Sequence, residues 1–185
     1  MKRIPVAVRR KAKKIRLLLL DVDGVLTDGR IIIDDRGVET KQFNVRDGQG
    51  ISLLLRSGVD VGFMTARSSK IVSRRAKELG VRIVRQGVQN KLDAYHAIRA
   101  NLRLSDHEIA YMGDDVIDLA VLRQAGLAIT VNDGWHGLIS AVDFVTTSSG
   151  GSGAVREVAE ILLVAQGNWS RLTAIKLNSR IRAKF

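Results

Sequence analysis

Residues 17–29 read LLLLDVDGVLTDG, four leucines running into Asp21, Val22, Asp23 and Gly24. An unbroken apolar run after a basic segment predicts a strand covered on both faces, as in a parallel sheet. Asp21 and Asp23 then stand two apart just past the strand's C-terminal end, where open α/β sheets carry their sites. Crowded carboxylates are costly to desolvate unless a cation or a shared proton relieves them. An Asx-type turn after a strand would use the same residues. The stretch makes a site only if other strand ends converge on it.

Outward from this stretch, strands and helices alternate. After Asp28 and Gly29, β-prone runs at 30–34 and 39–43 flank Asp34, Asp35, Arg36 and Gly37, a hairpin turn signal. They predict a flap over 30–43, too small to be a domain. Ile51, Leu53, Leu54 and Leu55 give the apolar face of a short helix ending near Gly58. A strand over 59–64 leads to a helix over 70–79, capped by Ser68 or Ser69 and stopped by Gly80. A strand over 81–84 is followed by a helix over 91–102, with Leu92, Tyr95 and Ile98 on one face. Ser105 and Glu108 form a capping box before a strand over 109–112. Then come Gly113, Asp114, Asp115, Val116, Ile117 and Asp118, a helix to Gln124, a strand over 127–131, a short helix and a strand over 144–146. A Gly/Ser loop over 148–153 precedes a last amphipathic helix over 154–166. The expected fold class is α/β, a Rossmann-like parallel sheet with helices on both faces and a small β-hairpin flap.

The length of 185 residues suits one such domain. The absence of Cys excludes a disulfide scaffold, thiolate metal sites and a Cys nucleophile. The net charge of +11 is local: residues 1–16 hold eight Lys/Arg and residues 171–185 five, with no acid in either, leaving 17 against 19 Asp/Glu between them. The expected organisation is a basic arm over 1–13, a globular domain over 14–167 and a basic tail over 168–185. The slightly acidic middle, with only two Trp and two Tyr, argues against nucleic acid as partner. No segment is long enough to span a bilayer. The first apolar run is too short for a secretion signal and is broken by Asp21, so a cytoplasmic protein is expected.

Four strand ends carry polar residues: Asp21 with Asp23, Thr65, the loop into Lys91, and Asp114 with Asp115. Each alone has a plainer use, Thr65 as a helix cap, Lys91 as a solvated charge, Gly113 with the aspartates as a turn. In a parallel sheet all four ends share one edge, and together they fit phosphoryl transfer. A carboxylate nucleophile meets a phosphate dianion only where a divalent cation and positive donors neutralise it. Mg²⁺ takes oxygen ligands and keeps several waters, so one or two carboxylates suffice. Asp21 and Asp114 can supply them, Lys91 and the Thr65 hydroxyl can hold phosphate oxygens, and Asp23 can move the proton.

The motifs DVDGVLTDG, the Thr of MTAR, the Lys of QNK and GDDVID, in this order, resemble the haloacid dehalogenase superfamily. FNVRDGQGI, QGVQNK and GGSGAVREV narrow the resemblance, over roughly residues 14–167, to its phosphatases of 3-deoxy-D-manno-octulosonate 8-phosphate. The resemblance implies a Mg²⁺-dependent phosphomonoesterase in which Asp21 forms an aspartyl phosphate and Asp23 acts as acid and then base. It implies Mg²⁺ held by Asp21, the Asp23 backbone carbonyl and Asp114, with Asp115 and Asp118 orienting the surroundings of the metal or of Lys91. It places Asp23, Asn44, Val45, Arg46, Asp47, Gly48, Arg67, Arg75 and Lys91 at positions that contact a phosphorylated sugar acid. It further implies a flap in place of a large cap domain, and a homotetramer in which neighbouring subunits close the site. The implied setting is lipopolysaccharide precursor synthesis in a Gram-negative cytoplasm, with a nine-carbon sialic-type acid 9-phosphate as the alternative substrate. Two positions depart from the family pattern: Ala66 stands where Gly is usual, and Ser152 where Arg is usual.

Overall fold

The computed structural model describes residues 4–174. In chain order the elements are α1 (Val6–Ala12), β1 (Leu17–Leu20), β2 (Ile32–Ile33), β3 (Glu39–Thr40), α2 (Val45–Ser57), β4 (Asp60–Met64), α3 (Lys70–Leu79), β5 (Ile83–Arg85), α4 (Lys91–Leu102), β6 (Ile109–Gly113), α5 (Leu119–Gln124), β7 (Leu127–Thr130), β8 (Phe144–Val145), α6 (Ala154–Ala165) and α7 (Trp169–Thr173). Six strands pair in the order β5-β4-β1-β6-β7-β8, every pair parallel. The chain runs from β1 outward through β4 and β5, then returns to the other side of β1 as β6. That reversal opens a crevice beyond the C-terminal ends of β1 and β6.

The four leucines of β1 are all fully buried, on alternate faces. Leu18 and Leu20 join a core with residues of α1, α2, α3 and α6, whereas Leu17 and Leu19 join one with Tyr95 and Ile98 of α4 and Val121 and Leu122 of α5. Each such side chain contributes about 1.5–3 kcal/mol when removed from water. Burial on both faces is why β1 shows no polar alternation.

Helix α2 starts well before its apolar residues suggest, at the Asn44 cap, whose side chain accepts from the Arg46 N–H at 2.8 Å. Its first turns contain Gly48 and Gly50. A Cβ at Gly48 would lie 2.3 Å from Arg75 Nη2, and one at Gly50 3.1 Å from Ala159 Cβ. These glycines let α3 and α6 approach α2, at a helix propensity that hides the helix from its sequence. Strand β5 lies slightly later than expected. The hairpin forms as expected from β2 and β3, an antiparallel pair.

The arm expected over 1–13 is not a detached arm: residues 6–12 form α1, with Val8 and Ala12 in the core. Its Lys11 pairs with Asp143 at 2.6 Å. Of the expected tail, α7 packs Trp169 and Leu172 against the same core, and residues 175–185 lie outside the described residues.

Candidate active site

Asp21 follows β1 and is buried. Its Oδ1 accepts the Val22 N–H at 2.7 Å, and its Oδ2 lies 2.8 Å from Lys91 Nζ. Three residues on, Gly24 has φ 93°, and a Cβ there would lie 2.0 Å from Asp114 Oδ2. Only glycine lets the turn after β1 close onto the turn after β6. The Gly/Ser loop caps this turn from the other side. A Cβ at Gly150 would fall 1.8 Å from the Gly24 carbonyl oxygen, the Gly151 N–H donates to Val25 O at 2.9 Å, and Asp133 accepts the Gly150 N–H at 2.8 Å.

The end of β6 supplies Asp114 and Asp118. Asp118 is fully buried and both its oxygens are taken: Oδ1 by Lys91 Nζ at 2.6 Å and the Tyr111 hydroxyl, Oδ2 by the N–H groups of Asp114 at 3.0 Å and Asp115 at 3.2 Å. Burial and then the Asp118 charge keep the Tyr111 hydroxyl protonated, so it donates. Asp114 differs, since its Oδ1 is buried with no hydrogen-bond partner. Burial, then the charges of Asp21 and Asp118, raise the Asp114 carboxyl to about 8. Burial and the Asp118 charge raise Asp21 to about 6 despite Lys91 beside it. For Lys91, burial acts downward, but the two carboxylates outweigh it and raise its pKa.

These groups fit a divalent cation. Asp21, Asp114 and Asp118 each present an oxygen, all within 4.8 Å of one another, and oxygen donors suit Mg²⁺. The saturated oxygens of Asp118 make it a holder of Lys91 and the β6 turn, while the orphaned Asp114 Oδ1 is the atom a cation would satisfy. Asp115 is exposed and caps the 3₁₀ turn over Val116–Asp118, accepting the Val116 N–H at 2.7 Å. It adds negative charge near Asp114 and touches neither Lys91 nor Asp21.

Thr65 closes β4, buried, its Oγ1 accepting the Arg67 N–H at 3.2 Å. Ala66 does not have a positive φ, since Arg103 is the one non-glycine residue with one among the described residues, so alanine costs nothing there. Arg67 donates to Glu39 Oε1 at 2.7 Å and has Nε 3.9 Å from Asp23 Oδ2. The flap supplies a group that sequence reasoning missed, Lys41. Its ammonium is bonded to Asp23 Oδ1 and lies 3.3 Å from Glu39 Oε1. No periodicity or motif in the flap marked it, because hairpin folding alone brings it to the site.

The remaining expected contacts separate. Val45 is 80 % exposed. Arg46 lines an open cavity of about 590 Å³ with Ser148, Ser152, Arg156 and Glu157. Arg75 packs on Gly48, places its guanidinium 5.7 Å from the Phe43 ring centroid and pairs with Glu78 at 3.0 Å. The Asp47 carboxylate is committed to the backbone: it is 1 % exposed, and its two oxygens accept the Gly153 and Arg156 N–H groups at 3.2 and 2.7 Å. As a side-chain substrate contact it is corrected to a clamp between α2 and the start of α6.

The profile of haloacid dehalogenase-like hydrolases matches residues 66–158. The 3-deoxy-D-manno-octulosonate 8-phosphate phosphatase KdsC of Yersinia pestis is 43 % identical over 175 residues, 94 % of either chain. That of Escherichia coli K12 is 47 % identical over 157 residues, 85 % of this chain and 84 % of its own. The crystal structure of the Moraxella catarrhalis phosphatase in complex with magnesium, phosphate and KDO superposes with a TM-score of 0.89 at 44 % identity, covering 90 % of this chain and 96 % of that one. With its Asp21, Lys91 and Asp114 gathered where the sheet reverses and its sequence shared over most of its length, the chain belongs to the haloacid dehalogenase-like hydrolases.

Proposed function

We propose that the protein hydrolyses 3-deoxy-D-manno-octulosonate 8-phosphate to the free sugar acid and phosphate, through an aspartyl phosphate on Asp21 and with Mg²⁺. The observation that carries this reading is the pairing across the reversal of the sheet, Asp21 held by Lys91 opposite an Asp114 oxygen with no partner. Mg²⁺ would be held by Asp21, Asp114 and the Asp23 backbone carbonyl, and when bound it offsets the repulsion between carboxylate and phosphate dianion. Asp21 forms the new bond to phosphorus as the bond to the sugar oxygen breaks. Asp23 gives that oxygen its proton, then takes one from the water that attacks the phosphoenzyme and frees Asp21. Lys91 and the Thr65 hydroxyl hold phosphate oxygens. Arg67 and Arg75, with the segment of Asn44, Val45, Arg46 and Gly48, receive the sugar acid, since a guanidinium can grip a carboxylate with two bonds. The KdsC relatives and the motifs beyond the superfamily set support the eight-carbon acid.

The flap supports an assembly. Ile31, Ile32, Ile33 and Val38 are 42–58 % exposed, an apolar ribbon that a further copy of the chain would cover. A homotetramer with neighbouring subunits closing the site, as the family resemblance implies, is part of this proposal, and light scattering on the purified protein tests it. No helix among the described residues is long and apolar enough to cross a membrane, in keeping with a cytoplasmic step of lipopolysaccharide precursor synthesis. Phosphate release from eight-carbon and nine-carbon acid phosphates, with and without Mg²⁺, tests the function. Turnover that needs Mg²⁺ and favours the eight-carbon acid is expected. Preference for the nine-carbon acid overturns the substrate, and turnover indifferent to Mg²⁺ overturns the chemistry.

A further inference from the structure

We infer that Lys41 is a positioning residue, holding the Asp23 carboxylate in its working geometry from the flap. The inference rests on the reading of Asp23 as acid and base. Lys41 follows β3, and a lysine on so small a ribbon would ordinarily extend into water. Its side chain is instead 1 % exposed. Burying an ammonium is costly unless it is paired, and Lys41 has two acids for the purpose, Asp23 bonded at Oδ1 and Glu39 at 3.3 Å.

Two other carboxylates of the site are fixed by donors at the sheet's edge and at the start of α4. Asp21 takes the Val22 N–H and Lys91, and Asp118 takes four donors. Among the described residues Asp23 receives only cations carried by other segments, Lys41 at Oδ1 and Arg67 at 3.9 Å from Oδ2. Glu39 bridges those two cations, with Arg67 Nη2 at 2.7 Å. Asp23, Lys41, Glu39 and Arg67 thus form a ring of alternating charge, and Lys41 is its buried member. A group that must meet the leaving oxygen and then a water needs a fixed carboxylate plane, and among the described residues the Lys41 bond is the one direct bond that fixes it.

A lysine that merely tacked the flap down would be needed whatever Asp23 does. One that works through Asp23 becomes dispensable once Asp23 cannot transfer a proton. The test is a double-mutant cycle on the full chain with Mg²⁺ and the sugar phosphate. Lys41→Met is expected to lower kcat by about tenfold or more, a part of the roughly 10²–10⁴-fold that a general acid–base group contributes, with KM changed less than about threefold. In the Asp23→Asn background the same substitution is expected to cost less than about twofold. Lys41→Arg should recover part of kcat, since it restores the charge with a different reach.

Losses that multiply, or a rise in KM with kcat intact, overturn the inference in favour of a flap tether. Should Lys41→Met not fold, Lys41→Gln and Lys41→Arg complete the same cycle. Wild-type turnover by Asp23→Asn alone would instead defeat the assignment of Asp23, which separates that failure from failure of the Lys41 inference.

Discussion

The acids at the ends of β1 and β6 and the ion pairs beneath the flap meet at one crevice, yet different parts of the molecule hold them. Asp21, Asp114 and Asp118 follow the core strands β1 and β6, Lys91 opens a helix that buries Tyr95 and Ile98, and the ion pairs of Lys91 with Asp21 and Asp118 are buried. Asp23, Lys41, Glu39 and Arg67 are joined across a ribbon of two residues per strand, which exposes Ile32 and Ile33. The half proposed to hold the nucleophile and the cation is therefore built by the same burial that folds the chain. The half proposed to move the proton and receive the sugar depends on charge pairs joined beside an exposed ribbon.

The sharpest way to break this division is at its nucleophile. Asp21→Asn is expected to lower turnover by at least about 10⁴-fold while the protein stays folded, because a neutral amide relieves a desolvated carboxylate. Steady-state assay and thermal melting check both parts. Wild-type-like turnover would remove Asp21 from the mechanism.

Stability should divide the same way. Asp118→Ala strips partners from Lys91, Tyr111 and two backbone N–H groups, and is expected to cost about 3–5 kcal/mol. Ile32→Ser on the ribbon is expected to stay within about 0.5 kcal/mol. Denaturant unfolding at a protein concentration where the chain is monomeric measures the two together. Equal losses would mean that the flap is as much part of the core as β6.

A smaller effect comes from protons at the cation site. In the metal-free protein Asp21 and Asp114 are raised from 3.8 to about 6 and about 8. Their folded forms therefore bind protons more tightly than the unfolded chain does. The stability this provides is full below about pH 4 and is lost as pH rises through about 6 and about 8. Added Mg²⁺ replaces those protons, so the rise in melting temperature at a fixed Mg²⁺ concentration should be larger near pH 9 than near pH 6. A rise that did not depend on pH would place the cation elsewhere.

What the sequence disclosed follows the same division. Asp21, Thr65 and Asp114 could be read because each follows an apolar strand, and a parallel sheet gathers such ends at one edge. Lys91 could be read because it opens a helix directly after the loop that leaves a core strand, and the structure adds that Asn90 caps that helix. Lys41 and Glu39 could not, since their approach to Asp23 depends on how a hairpin folds back and leaves no period in the chain. The commitment of Asp47 to α6 joins residues more than a hundred positions apart and gave no local sign. Helix α1 carries its period under a mask of charge. Val8, Ala12 and Ile15, spaced four and three apart, are all buried, but the cations between them give the segment the composition of an arm.

Ala66 lies on the seam between the two halves, after the buried Thr65 and before the flap-bound Arg67, and carries the smallest expected effect on turnover. Its φ is not in the left-handed region, so glycine, usual here in the family, gains no conformation that alanine lacks. Ala66→Gly enlarges the freedom of the unfolded chain alone and is expected to cost about 0.4–1 kcal/mol. With Thr65 Oγ1 still accepting the Arg67 N–H, kcat should stay within about twofold, well short of a general acid–base contribution. Thermal melting and steady-state rates on one preparation check both. A several-fold gain in kcat would show that the methyl group crowds the substrate, and that this segment belongs to the half of the site that receives the sugar.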